Sequence, residues 1–75
     1  MSPEQMEERI RQAYPSCMVA VLDTTGTSNH FDVRVAAAEL RGLTRIKQHQ
    51  AIMSLFGAEL KTGEVHALSI KTQTP

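Results

Sequence analysis

The sequence predicts an α+β domain ordered α-β-β-α-β, with a three-stranded mixed sheet packed against helices. Three observations predict it. A capped amphipathic stretch opens the chain, Phe31-Asp32-Val33-Arg34-Val35 alternates cleanly, and a long helical stripe from Thr44 separates that strand from a final alternating segment, VHALSIKT. A helix between the second and third strands is a crossover, so the last strand lies parallel to one member of the preceding hairpin.

Each element has its own local cause. Ser2-Pro3-Glu4-Gln5 supplies an N-cap, a proline at the first helical position and a glutamine that completes a capping box. Met6, Ile10, Ala13 and Tyr14 then form one apolar stripe, and Pro15 ends the run. Cys17 to Leu22 is apolar without polar alternation and reads as a strand covered on much of both faces. DTTGTSNH is a cluster of turn formers and reads as an exposed loop, so the first two strands pair as an antiparallel hairpin. Ala36 to Leu40 either extends the strand or makes a helical turn before Gly42, and a short extra turn near 38–42 is expected. In the main helix Ile46, His49, Met53, Phe56 and Leu60 define the apolar stripe, widened by Ile52 and Leu55, with Gly63 as its C-cap. Gly57 within it is expected to mark close packing against a neighbouring element.

Size and charge remove several functions. A chain of 75 residues makes a single domain, 1–75, with little room for an enclosed substrate cavity. Its eight basic and eight acidic side chains cancel, which weakens nucleic-acid and anionic-membrane readings. Cys17 is the only cysteine, so no internal disulfide forms and a reducing compartment fits. No apolar run approaches the roughly 20 residues of a membrane span, and a soluble, cytoplasmic protein is expected. Nothing points to an enzyme: the chain has no Ser-His-Asp order, no phosphate-cradling glycine loop and no complete mononuclear metal set.

The ladder from Ile46 through Leu60 with Gln48-His49-Gln50, and Val65-His66-Ala67-Leu68 followed by Lys71-Thr72-Gln73-Thr74-Pro75, resemble the BolA-like family over nearly the whole chain. Many relatives have Arg-His-Arg where this chain has Gln48-His49-Gln50, and relatives often continue into a further C-terminal helix. The resemblance implies a class II KH-like fold, in keeping with the order above. It also implies a partner role: a heterodimer with a monothiol glutaredoxin around a bridging 2Fe-2S cluster, in iron-sulfur trafficking or iron and redox regulation. The glutaredoxin and glutathione supply thiolates, and no cofactor is held by the isolated chain, for which a homodimer is compatible.

By the same resemblance His66 is the expected metal and cofactor ligand, and imidazole in place of thiolate is sound iron-sulfur chemistry. The bland alternative is a strand-end histidine hydrogen-bonded to a neighbour. His30, in the loop between the first two strands, is the preferred second ligand. Relatives commonly carry theirs nearer Gly26 to Ser28, although another branch has a histidine directly before the aromatic. His49 reads as structural, and Cys17 as a small buried hydrophobe. Arg41, Arg45 and Lys47 cluster at the entry to the long helix and carry the rival reading, a DNA-binding transcriptional regulator with a helix-turn-helix-like region. Gly42-Leu43-Thr44-Arg45 lacks the second glycine of a KH backbone clamp. Arg45, Lys47 and Lys71 are expected, from charge alone, to complement an acidic partner or glutathione carboxylates.

Overall fold

The computed structural model describes residues 1–73; Thr74 and Pro75, part of the C-terminal motif above, lie outside them. The chain runs α1 (Pro3–Ala13), β1 (Met18–Asp23), β2 (His30–Ala36), a 3-10 turn (Ala38–Leu40), α2 (Arg45–Ser54), α3 (Gly57–Thr62) and β3 (Ala67–Gln73). The three strands lie in the order β1-β2-β3. β1 pairs antiparallel and β3 parallel to the central β2, which makes the predicted mixed α+β sheet.

The predicted capping box of α1 is present: the Ser2 hydroxyl accepts from the Gln5 N–H at 3.1 Å, and the Gln5 side chain accepts from the Ser2 N–H at 2.9 Å. Met6 and Ile10 are wholly buried. They join Val21, Phe31, Val33, Val35, Leu40, Ile52, Phe56 and Val65 in one core on a single face of the sheet. Each fully buried aliphatic or aromatic side chain contributes roughly 1.5–3 kcal/mol.

β1 is not covered on both faces as its composition suggests. It is an edge strand, and with helices on one face only it buries Val21 while Met18 and Leu22 stand 77% and 57% exposed. A run of apolar residues does not distinguish a buried strand from an edge strand whose outer face is also apolar.

The long helix is likewise divided. At Leu55 and Phe56 the N–H groups reach back three residues, to Ile52 and Met53, instead of four. Phe56 then leaves helical geometry (φ −118°, ψ 19°) before α3 begins at Gly57. The Arg9 guanidinium closes this break by donating to the Leu55 carbonyl at 2.9 Å and to both oxygens of Glu59 at 2.7 and 3.1 Å, with its carbon 5.4 Å from the centre of the Phe56 ring.

The inward stripe is also rotated from the expected one: Ile46 and Met53 are exposed, and Gln48, Ile52 and Leu55 face inward with Phe56. The polar Gln48 holds an inward position because its amide donates to the carbonyls of Leu40 (3.1 Å) and Leu43 (3.2 Å) and accepts from the Thr72 hydroxyl (2.5 Å). It thereby ties α2 to the preceding turn and to β3. Gly57 has no close neighbour, since a Cβ built there meets nothing within 4 Å. Gly63 is the C-cap predicted for it, in left-handed geometry at φ +84°.

Candidate functional site

The loop joining β1 and β2 is organised by Asp23. Its carboxylate accepts from the backbone N–H groups of Thr25 (3.3 Å), Gly26 (2.9 Å) and Ser28 (2.9 Å). These bonds accompany left-handed backbone at Gly26 (φ +75°) and Ser28 (φ +61°), the conformation short turn formers tolerate best. Burial pushes the Asp23 carboxyl up, but the N–H donors of Ser28, Thr25 and Gly26 together outweigh it and hold the group below its ordinary value of 3.8. The loop delivers the chain to β2 with His30 as the first strand residue.

In the parallel β2–β3 register His30 stands opposite Ala67, so His66, the residue before β3, arrives beside it. The two ring centres are 5.8 Å apart, with planes inclined by 52°. Asn29 joins the two segments, its carbonyl accepting from the N–H of His66 at 2.7 Å and of Ala67 at 3.2 Å. Its side-chain oxygen lies 2.8 Å from Nδ1 of His30 and also accepts from the Thr27 hydroxyl. His66 is exposed, and no hydrogen bond to its ring is made among the described residues. Nε2 of His66 faces the Gly63 turn, 3.7 Å from where a Cβ would stand on that glycine.

Two imidazoles bound to one metal through bonds of about 2 Å have ring centres roughly 5 Å apart, close to the 5.8 Å spacing of this pair. Among the described residues no group of three or more His, Cys, Asp or Glu side chains is placed to hold a metal ion, so the pair amounts to part of a coordination shell.

The remaining candidates lie elsewhere. His49 is half-buried on α2. Cys17 precedes β1 at the end of the sheet remote from the loop, and burial pushes its thiol up, away from the thiolate that ligation needs. Arg41, Arg45 and Lys47 are exposed around the start of α2, which Gln48 ties to Thr72 at the far end of β3. Thr72 lies five residue steps along β3 from Ala67, about 16 Å along the sheet. Arg45 and Lys47 therefore lie toward the other end of the sheet from His66, while Lys71 lies exposed opposite Arg34. Residue patterns gave no sign of Asn29, Gln48 or Arg9, whose roles depend on partners 24 to 50 residues away or on one backbone carbonyl.

The fold defines a small KH-like α+β module in which an exposed and a half-buried imidazole stand together at one end of the sheet. A family model described as BolA-like protein matches residues 8–75, and the chain belongs to the BolA-like family. The family is non-enzymatic. Among solved structures, BolA1 from Arabidopsis thaliana superposes with a TM-score of 0.87 at 27% identity, over 97% of this chain and 90% of that one. The BolA domain of SufE1 from the same plant also gives 0.87, at 28% identity over 97% and 91%. The Escherichia coli protein described as the DNA-binding transcriptional regulator BolA is 31% identical over 99% of this chain and 76% of its own length.

Proposed function

We propose that this chain is a partner module for a monothiol glutaredoxin and contributes His66 and His30 to a 2Fe-2S cluster bridging the two proteins, in iron-sulfur trafficking or in iron and redox regulation. The observation that carries the reading is the exposed ring of His66, beside His30 and without a hydrogen bond among the described residues. The donor set fits the group: the imidazoles would cap one iron, and thiolates from the partner and its glutathione would hold the other. The cluster supplies labile iron and a one-electron couple, whose potential nitrogen ligation raises. The chain's own part is to hold two lone pairs at a solvent-facing edge. Asn29 engages Nδ1 of His30 and thereby leaves Nε2 as the nitrogen available to a metal.

Mixing the protein with a cluster-loaded monothiol glutaredoxin is expected to change the visible absorption and circular dichroism of the cluster, and His66→Ala is expected to abolish the change. An unchanged spectrum with the native protein defeats the reading. The second reading, DNA binding through Arg41, Arg45 and Lys47, is favoured by the description of the Escherichia coli relative and by the exposure of these cations at a helix start. It predicts a salt-sensitive gel shift that disappears on replacing Arg45 and Lys47 with alanine.

A further inference from the structure

We infer that Asn29 is the positioning residue for both imidazoles, fixing the tautomer of His30 through its side chain and the placement of His66 through its backbone. The inference rests on the reading of the two histidines as iron ligands and deepens it. An amide oxygen carries no proton, so an imidazole nitrogen 2.8 Å away must itself be the donor. The Thr27 hydroxyl supports this placement of the amide: it donates to the same Oδ1, and its own oxygen, 2.5 Å from that of Thr25, accepts from the Thr25 hydroxyl. His30 is thereby held as the Nδ1–H form, with its lone pair on Nε2. A ligating histidine that donates its other N–H to an oxygen acceptor is fixed in orientation and made more basic, and losing that acceptor lowers metal affinity by about 10- to 100-fold. The backbone carbonyl of the same residue receives the N–H groups of His66 and Ala67 and so fixes where β3 begins. One residue thus sets the spacing of the two rings, and the Asp23-centred loop sets that residue.

The test begins with the metal-free protein. Long-range proton–nitrogen correlation spectra of the ¹⁵N-labelled chain, recorded in alkaline buffer where imidazole is neutral, are expected to show His30 as the Nδ1–H tautomer. Asn29→Leu is expected to move His30 toward the Nε2–H form, and Asn29→Asp, which keeps an oxygen acceptor, to preserve the native form. Thr27→Val is expected to shift it part of the way. Amide signals outside 24–30 and 63–67 should stay in place, because the carbonyl of residue 29 survives each substitution. With cluster-loaded glutaredoxin, Asn29→Leu is expected to raise the concentration needed for the spectral change at least about tenfold, and Asn29→Asp to restore it. A native His30 in the Nε2–H form, or one indifferent to Asn29→Leu, overturns the inference whatever the glutaredoxin does. If the tautomer responds as expected while the native protein leaves the cluster spectrum unchanged, the iron reading falls and the positioning of His30 stands.

Discussion

Phe56 and His66 stand on either side of α3 and illustrate two ways of using a side chain. Phe56 is wholly buried, at the point where α2 breaks, with Arg9 stacked near its ring. His66 is exposed, held by its backbone N–H to Asn29 while its ring, beside that of His30, makes no hydrogen bond among the described residues. The core is specified by burial, so its residues are interchangeable in chemistry but not in volume. The histidine end is specified by hydrogen bonds to the backbone and by the Asn29 amide, which engages Nδ1 of His30 and leaves the His66 ring without a hydrogen bond among the described residues. Stability and binding therefore rest on separate residues, and each can be damaged without the other.

The largest effect should come from the core. Phe56→Ala removes a wholly buried ring and should cost about 3–5 kcal/mol, read as a lowered urea midpoint. In a domain this small that is a large share of the total, and the glutaredoxin response should fade with the folded population. His66→Ala in the same assay should shift stability by less than about 0.5 kcal/mol, since an exposed ring leaves no cavity behind. A comparable loss in both variants would mean that the two regions are not separate.

Two glycines sharpen the contrast with smaller effects of opposite sign. Gly63 sits at φ +84°, and a Cβ there makes only ordinary contact with Nε2 of His66 at 3.7 Å. Gly63→Ala should therefore lose about 1 kcal/mol through backbone strain alone, with the histidine pair still in place. Gly57 carries no positive φ and has no close neighbours, so Gly57→Ala should gain up to about 1 kcal/mol from helix propensity. Thermal melts of the two variants check both signs.

What the sequence revealed about these regions follows the same division. Strand β2, the Ser2 capping box and the Gly63 cap depend on neighbours within a few residues, and periodicity exposed them. The outer face of β1 and the break at Leu55–Phe56 depend on what the rest of the chain covers, and no local pattern carries that. In α2 the stripe was misphased because Gln48, a polar residue, faces inward on bonds to Leu40, Leu43 and Thr72. His66 and His30 were singled out by family likeness and by residue type. Their proximity comes from the parallel pairing of β2 with β3, in which residues 30 and 67 are partners. Asn29 was silent because an asparagine in a turn cluster is ordinary until the acceptor it offers is seen.

The smallest effect expected is a pH dependence confined to the flank of the core. Hydrogen bonding to Arg9 holds the Glu59 carboxyl below its ordinary value of 4.5, and the same pairing raises the Arg9 guanidinium. A carboxylate depressed in the folded state adds stability that is complete above its unfolded value and disappears as pH falls through the folded one. The window therefore opens near pH 4.5 and extends downward. The pair is partly exposed, with the Arg9 side chain 37% accessible, so solvent and salt screen it and the contribution is modest. Urea midpoints measured from pH 6 downward should fall more steeply below that point in the native protein than in Arg9→Met, which keeps packing against Phe56 but not the charge. Added salt should narrow the difference. Equal slopes in the two proteins would place the acid sensitivity on another carboxylate, with Asp23 in the histidine loop next to be tested by Asp23→Asn, because its three N–H donors depress it in the same direction. The acid-sensitive element would then belong to the histidine end and not to the core, reversing the assignment of stability to one region and chemistry to the other.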